Sequence, residues 1–397
     1  MKFNLRSLLG TVAFMLAAVI ITLCVVNFIS IPLPGGSVIL SARDYGNIKE
    51  LRKFLSIREF LNTYYYLDTD PEVLEEGAIR GMLEALGDPY TVYLDKDEYD
   101  SFMTHTTGTY EGVGLVVEGG EDGYIRVVAP IEDTPSARAG IKTADRIIRV
   151  DGQEVYADQL ERAVAMMKGP EGTEVVLTII REGQPEPFDV KVERQEIRLV
   201  TVKAETIEDN IGYVRISTFD QKTNEDFRRE VKELQRSGIE GLIIDLRSNP
   251  GGLLDQVVEI ADFLMGKGLI VYTEDRQGNR NEELSDAGEL GLPIVVLVDG
   301  GSASASEILA GAIQDSGTGV LVGTKTFGKA LVQTIQGMGD GSAVKMTIAQ
   351  YYTPKGRSIQ GSGIQPDYVV ERPEDAVMGD YEKGNDSQLA KAIELIK

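Results

Sequence analysis

Residues 242–265 read LIIDLRSNPGGLLDQVVEIADFLM. An apolar run of strand length, Leu242–Leu246, enters a turn of small residues, Asp245-Leu-Arg-Ser-Asn-Pro-Gly-Gly252, and a helical pattern over Leu253–Met265 follows. Glycine and proline punctuate the turn, and the small residues let the backbone bend sharply and point N–H groups outward. The same grammar recurs on either side. Strand Gly212–Ile216 precedes helix Asn224–Ser237, and strand Ile294–Val298 precedes helix Glu307–Gln314. Strands also fit Val320–Gly323 and Ala343–Tyr352. Such alternation from about residue 200 onward predicts an α/β layered domain.

Upstream the texture differs. From Tyr110, short strands alternate with glycine turns: Gly114–Val117, Tyr124–Ala129, Arg146–Val150, Glu174–Arg181 and Phe188–Val192, with one helix, Ala157–Met167, among them. The loop Gly112-Val113-Gly114-Leu115 can offer consecutive backbone N–H groups to a carboxylate, and the strand it opens can take an extended peptide by β-addition. The run Gly140-Ile-Lys-Thr-Ala-Asp-Arg-Ile-Ile-Arg-Val-Asp-Gly152 resembles PDZ domains, with Ala144 where that family usually has glycine. The resemblance implies a module that binds carboxyl-terminal protein tails, mostly apolar ones, with the helix Asp158–Met167 as the second wall of the groove.

Ahead of this module, residues 44–103 read as helical. Ile48, Leu51 and Leu55 fall at helical spacing, and Asp70 followed by Pro71 marks a helix start. The aromatic run Tyr64-Tyr65-Tyr66 reads as core or a subunit contact. At the N-terminus Lys2 and Arg6 precede an apolar run, Leu8–Ile31. Its length suits an uncleaved membrane helix better than a cleaved signal, and the basic flank keeps that end in the cytoplasm. Pro32-Leu-Pro-Gly-Gly36 reads as the start of a linker. At the other end, Glu371–Asp386 is acidic and weakly patterned, and Gln388–Ile396 fits a short closing helix.

Composition closes several functional classes. Among 397 residues, 42% are hydrophobic, and 40 Lys and Arg stand against 63 Asp and Glu, a net charge of −23. A surface this acidic argues against nucleic acid as a partner. The chain has one cysteine, Cys24, and one histidine, His105, in a polar stretch read as a solvated loop. An internal disulfide is excluded, a zinc site would have one histidine ligand, and a Ser-His-Asp triad would have to use His105.

Two segments remain that can carry chemistry. Asp299-Gly-Gly-Ser-Ala-Ser-Ala-Ser-Glu307 sits between a strand and a helix, the setting of a nucleophile elbow, but spacing does not rank its three serines. Thr326-Phe327-Gly328-Lys329 places a lysine among apolar residues and glycine, where partial desolvation lowers an amine's pKa and lets it accept a proton from serine. Taken with Gln333, Leu86-Gly-Asp-Pro-Tyr90, Tyr352-Thr-Pro-Lys-Gly-Arg-Ser-Ile-Gln-Gly361 and Gly363-Ile-Gln-Pro-Asp367, these segments resemble the carboxyl-terminal processing (tail-specific) serine protease family over residues 45–372. The resemblance implies Ser304 as nucleophile, Lys329 as general base and Gln333 as the residue that orients the lysine. It implies an oxyanion hole from the N–H of Ala305 and of Gly251 or Gly252. It also implies that Lys168, at the end of the groove helix, couples peptide binding to the protease site. Asp299 departs from a commoner asparagine, and Ala330-Leu331 from a usual glycine and small residue.

The expected fold is thus α/β and multidomain: a crotonase-like (ClpP-like) protease domain with an inserted β-rich PDZ domain and a helical N-terminal region. The expected division is residues 1–35 anchor or signal, 36–104 helical region, 105–195 PDZ domain, 196–372 protease domain and 373–397 acidic tail. The expected activity is that of an ATP-independent serine endopeptidase outside the cytoplasm, held by a single-pass helix. No metal or other cofactor is implied. The expected partners are proteins or peptides with apolar tails, the membrane and a second copy in a homodimer. A PDZ-bearing membrane adaptor with a silent protease fold is the main alternative, and a solute-binding protein fails to account for the PDZ run.

Overall fold

The computed structural model describes residues 28–33, 36–286, 288–373, 379 and 385–397, with only the backbone course for residues 28–50 and 209. The chain forms two compact units, residues 1–87 and 88–397.

In the first unit, β1 (Phe28–Leu33) and β2 (Gly36–Ser41) pair as an antiparallel hairpin, followed by α1 (Ala42–Tyr64) and α2 (Pro71–Glu84). Asp70 caps α2 by accepting the Glu72 N–H at 2.9 Å. Three sequence expectations change here. Of the apolar run Leu8–Ile31, all but Phe28–Ile31 lies outside the described residues, and those four are extended in β1 rather than helical. Of the segment read as the start of a linker, Pro32, Leu33 and Gly36 belong to the hairpin, where proline blocks helix and β-branched residues favour pairing. Among the described residues no helix is long and apolar enough to cross a membrane. The aromatic run is not core: Tyr64, Tyr65 and Tyr66 are all exposed.

The second unit opens with β3 (Val92–Leu94) and α3 (Lys96–Thr107), the latter capped by a reciprocal Asp95–Glu98 box. The β-rich module follows. Its strands are β4 (Thr109–Gly112), β5 (Leu115–Gly119), β6 (Ile125–Pro130), β7 (Arg146–Val150), β8 (Gln153–Glu154), β9 (Glu174–Ile180), β10 (Phe188–Glu193) and β11 (Gln195–Arg198). A short α4 (Pro135–Arg138) follows β6, and α5 (Leu160–Met167) follows β8. The antiparallel order is β10-β9-β7-β6-β5, with β8 on β7. The two-residue period of a half-buried sheet is plain in β6, where Ile125 and Val127 are buried and Arg126 and Val128 exposed. β4 and β11 pair separately, Thr109 opposite Arg198 and Gly112 opposite Gln195, and form the stem through which the chain enters and leaves the module.

Beyond the stem lie β12 (Val202–Ile207), β13 (Ile211–Ile216), α6 (Thr223–Arg236), β14 (Gly241–Asp245), α7 (Leu254–Leu264), β15 (Gly268–Asp275), β16 (Arg280–Ser285), β17 (Ile294–Val298), α8 (Ala305–Ser316), β18 (Gly319–Gly323), β19 (Leu331–Gly337), β20 (Ala343–Tyr352), β21 (Tyr368–Val369) and α9 (Ser387–Ile396). The main sheet runs β12-β13-β14-β17-β18-β21, parallel from β13 onward. Its central strands β14 and β17 are buried at every position, which is why they read as unbroken apolar runs. One face packs on α6, α7 and α8 through Phe227, Val231, Val257, Ile260, Leu309 and Ile313. The other face, with Ile243, Val295 and Leu297, is covered by Leu389, Ala392 and Ile393 of α9. A second, antiparallel sheet, β16-β15-β20-β19, accepts β3 on β20. Residues 88–104, grouped by sequence with the helical N-terminus, thereby add a strand to the same sheet that carries Lys329 to its edge.

Candidate active site

A cleft of about 620 Å³ gathers Ser304, Ala305, Gly251, Gly252, Lys329 and Gln333. The turn after β14 and the turn after β17 lie against each other at its floor. Asp299 joins them, accepting N–H bonds from Ser248 at 2.8 Å and Gly301 at 2.9 Å. The departure at Asp299 therefore keeps a working acceptor. Gly251 stands where the turns touch: a side chain there would meet the Ala303 carbonyl oxygen at 2.8 Å and the Ala305 nitrogen at 2.9 Å.

The structure ranks the three serines. Ser302 and Ser306 are fully buried, and their hydroxyls donate to the carbonyls of Leu246 (2.8 Å) and Asn249 (2.9 Å). Ser304 is the member of the run that lines the cleft. It sits at φ 55 and ψ −114, a strained conformation for a residue with a side chain, immediately before the first turn of α8. The N–H of Ala305 and that of Gly252 have no intramolecular acceptor among the described residues, whereas Gly251 donates its N–H to Asn249 Oδ1 at 2.8 Å. Of the two glycines, Gly252 is the one with a donor to offer.

Lys329 reaches the cleft from the turn before β19. Burial, and after it the neighbouring Lys345 ammonium, pull the Lys329 amine below its ordinary value, while the carboxylates of Asp88 and Glu307 pull the other way. Two fully or nearly buried groups fix its backbone against that of Ser304. Glu307 Oε2 accepts the N–H of Ser304 (3.0 Å) and of Lys329 (2.8 Å), and Oε1 accepts from Thr326 Oγ1 (2.6 Å) and the Gly328 N–H (2.7 Å). The Tyr351 hydroxyl lies 3.0 Å from the Ser304 carbonyl oxygen and 2.6 Å from that of Lys329. A third brace comes from the Tyr352–Gly361 segment, whose Gln360 Oε1 accepts the Ala330 N–H at 2.7 Å. The side chains are not yet engaged. Among the described residues no hydrogen bond joins Lys329 Nζ to Ser304 Oγ or to Gln333, whose Nε2 donates instead to Leu331 O at 3.1 Å.

Sequence reasoning missed Glu307 and Tyr351 as structural links between the two residues. It also misplaced His105, which is exposed on the last turn of α3 and borders the cleft rather than sitting in a loop.

A second, small cavity lies in the β-rich module. Val113, Gly114 and Leu115 line it with Tyr110, Val117, Val164, Met167 and Lys168. Gly112 stands just outside, as the last residue of β4. Lys168 caps α5 with its ammonium 5.5 Å from the centre of the Tyr110 ring. Buried Arg194, which sequence reading passed over, secures that helix end by donating to the carbonyls of Met166 (2.9 Å) and Met167 (3.3 Å).

Comparison with known proteins matches residues 210–370 to "Peptidase family S41", residues 126–181 to "PDZ domain" and residues 39–98 to "Activating protease CtpB N-terminal domain". The chain is 42% identical over 344 residues to a carboxy-terminal-processing protease of Bartonella bacilliformis, covering 84% of this chain and 78% of that one. It is 36% identical over 359 residues to the carboxy-terminal processing protease CtpA of Bacillus subtilis, covering 90% of this chain and 77% of that one. An S41 protease structure from Bacteroides fragilis superposes with a TM-score of 0.51 over 82% of this chain and 90% of that one; at 17% identity this likeness concerns the fold alone.

Proposed function

Because the chain belongs to the carboxy-terminal processing proteases of peptidase family S41, and is a serine-type peptidase on that ground, we propose that it cleaves protein chains with Ser304 as nucleophile and Lys329 as base. The observation that carries this reading is the pairing of the two backbones by Glu307 and Tyr351 beside two backbone N–H groups without acceptors among the described residues. Neutral Lys329 takes the Ser304 proton as Oγ attacks the scissile carbonyl carbon. The resulting oxyanion is held by the N–H groups of Gly252 and Ala305, the latter at the positive end of α8. Lys329 then gives its proton to the departing amine, and the acyl-enzyme remains. Water, deprotonated by the same amine, releases the product acid and restores Ser304. Gln333 borders the cleft and can offer its carboxamide oxygen to the ammonium formed in each half-reaction.

The β-rich module supplies substrate selection. Its groove would take an apolar tail with the terminal carboxylate at the Gly112–Leu115 loop, and Lys168 would relay occupancy to the protease domain. An extracytoplasmic site, tethering through the apolar residues ahead of Phe28, and the domain division stated above with residues 88–104 counted with the protease sheet complete the reading.

The test is cleavage of an unfolded protein with an apolar tail by the full-length enzyme. Ser304→Ala and Lys329→Arg should each lose activity by at least about a thousandfold, the arginine because its guanidinium stays charged at working pH. Undiminished cleavage by Lys329→Arg would remove the lysine from the mechanism, and no cleavage by the wild-type protein would favour a binding role.

A further inference from the structure

The Lys329 side chain is occupied in the structure, but not with Ser304. Its Nζ lies 4.7 Å from the centre of the Tyr90 ring. Tyr90 is half-buried, lies outside the cleft lining and is firmly held. Its N–H donates to Asp88 Oδ1 (3.0 Å), and Asp88 Oδ2 accepts from Thr91 Oγ1 (2.7 Å). Thr91 in turn accepts the Thr347 N–H of β20 (3.1 Å), and β3 follows directly and pairs with β20. The backbone that carries the ring is therefore anchored to the sheet whose edge carries the lysine.

We propose that Tyr90 is a positioning residue that holds the protonated Lys329 side chain away from Ser304 and releases it when the amine becomes neutral. This rests on Lys329 being the base. The chemistry follows from what a ring face binds: its quadrupole attracts an ammonium and has no comparable hold on a neutral amine. Proton abstraction needs the opposite form. With both backbones fixed by Glu307 and Tyr351, rotation of the lysine side chain is the movement left for bringing Nζ to Ser304.

Other groups around the amine act on the same equilibrium. Asp88 from the loop before β3 and Glu307 from α8 favour the ammonium, whereas burial and Lys345 from β20 oppose it. Asp88 is held below its ordinary value: burial works against the charged form, and hydrogen bonds from Thr347, Thr91 and Tyr90 overcome it. The Tyr351 hydroxyl of β20 meets the backbone carbonyl of the lysine, and Tyr99 and His105 of α3 also line the cleft. Tyr90 differs from all of these in binding the ammonium at a defined place.

The sign is fixed. A ring that stabilises the cation raises the amine's pKa, so removing it lowers the pH at which the base becomes active. The experiment is the pH dependence of kcat/KM for the full-length enzyme and its Tyr90 variants. Tyr90→Leu should move the rising limb down by about 0.5–1.5 pH units, which is roughly three- to thirtyfold faster cleavage well below the midpoint. KM should hold, since Tyr90 does not line the cleft. Tyr90→Phe keeps the ring and should keep the wild-type midpoint. Should the leucine variant misfold, Tyr90→Trp, with the stronger face, should move the limb upward. An unmoved midpoint in Tyr90→Leu, a phenylalanine variant that shifts as the leucine does, or a tryptophan variant that does not shift upward would each overturn the proposal while leaving the protease reading intact. Cleavage that survives Ser304→Ala would overturn both.

Discussion

Glu307 receives four hydrogen bonds on two oxygens with no exposed surface. Replacing it with glutamine leaves one acceptor oxygen and turns an NH₂ group toward the remaining donors. Each buried donor left unmet costs about 1–3 kcal/mol and two lose their acceptor, so Glu307→Gln should destabilise the protein by roughly 2–6 kcal/mol in urea titration. The kinetic effect should be larger in one constant than the other. Glu307 fixes Ser304 relative to Lys329 but does not line the cleft, so kcat should fall on the order of a hundredfold with KM within a fewfold of wild type. A variant with full kcat would show that Tyr351 alone keeps the two residues in place. The sequence held one trace of this role, the spacing of Ser304 and Glu307 as a helix start. That spacing accounts for the bond to the Ser304 N–H and says nothing of Gly328 and Lys329, which lie outside any local pattern. Ranking Ser302, Ser304 and Ser306 failed for the same reason, because the carbonyls that occupy two of them belong to the turn after β14. Ala144 shows the reverse case. Its position in the PDZ-like run marked a turn built for glycine, and the residue does hold φ at 67°, where a side chain costs roughly 1 kcal/mol.

The turn after β14, which lines the cleft, is also held from the far end of the chain. Arg247 is fully buried, with its guanidinium 2.6 Å from Asp245 Oδ2, 2.8 Å from Asp386 Oδ1 and 3.0 Å from Gln388 Oε1. Two residues after it, Asn249 positions the Gly251 N–H, so α9 and its N-cap Asp386 brace the loop that carries Gly252. Asp386→Ala strips one of two carboxylates from a buried cation; the bidentate pair with Asp245 remains, so the cost lies at or below the roughly 3–5 kcal/mol of a fully broken buried pair. The melting temperature of the variant should fall by several degrees or more at neutral pH, and cleavage should fall with it. Burial works against the ionised Asp386, but the Arg247 hydrogen bond and charge outweigh it and hold the carboxyl below its ordinary value. Its stabilisation is thus complete above the usual carboxylate range and is lost as pH falls through the depressed value. The gap between wild type and variant should close in acid, and a gap independent of pH would mean that packing, not charge, is responsible. The helix itself was readable from its apolar spacing over Gln388–Ile396. Its N-cap was not, because Asp386 ends an acidic stretch and its partner is far away in sequence. Strand β16 escaped for a different reason: Arg280-Asn-Glu-Glu carries too few apolar residues for a two-residue period to register, whereas the apolar run Leu269–Tyr272 of β15 was legible and went unread.

At the scale of the molecule, the order of domains was legible because each has its own texture, short strands with glycine turns against alternating strand and helix. How the two act on each other was not, since that depends on the element between them. α3 borders the active-site cleft with Tyr99, Phe102, Met103, His105 and Thr106, and it runs through Gly108 straight into β4. β4 ends at the small cavity of the β-rich module, where Tyr110 forms part of the lining and meets the Lys168 ammonium. A tail bound there, as proposed, would touch the same continuous segment that walls the cleft. If the groove and the Ser304–Lys329 pair share two arrangements, a peptide shifts them only by its difference in affinity for the two, tenfold for every 1.4 kcal/mol or so. An apolar peptide with a free carboxylate should then accelerate cleavage of a second substrate that lacks a tail. Its amidated twin should do much less, since the Gly112–Leu115 loop would have no charge to bind. Lys168→Ala should reduce that acceleration more than it reduces peptide affinity, because its ammonium faces Tyr110 on the connecting strand. Both quantities can be read on one preparation, affinity by calorimetry and acceleration by a fluorogenic tailless substrate. Equal rates with free acid, amide and no peptide would reduce the module to a docking site, and a Lys168→Ala enzyme that binds and responds in step with wild type would move the relay to another residue of the stem.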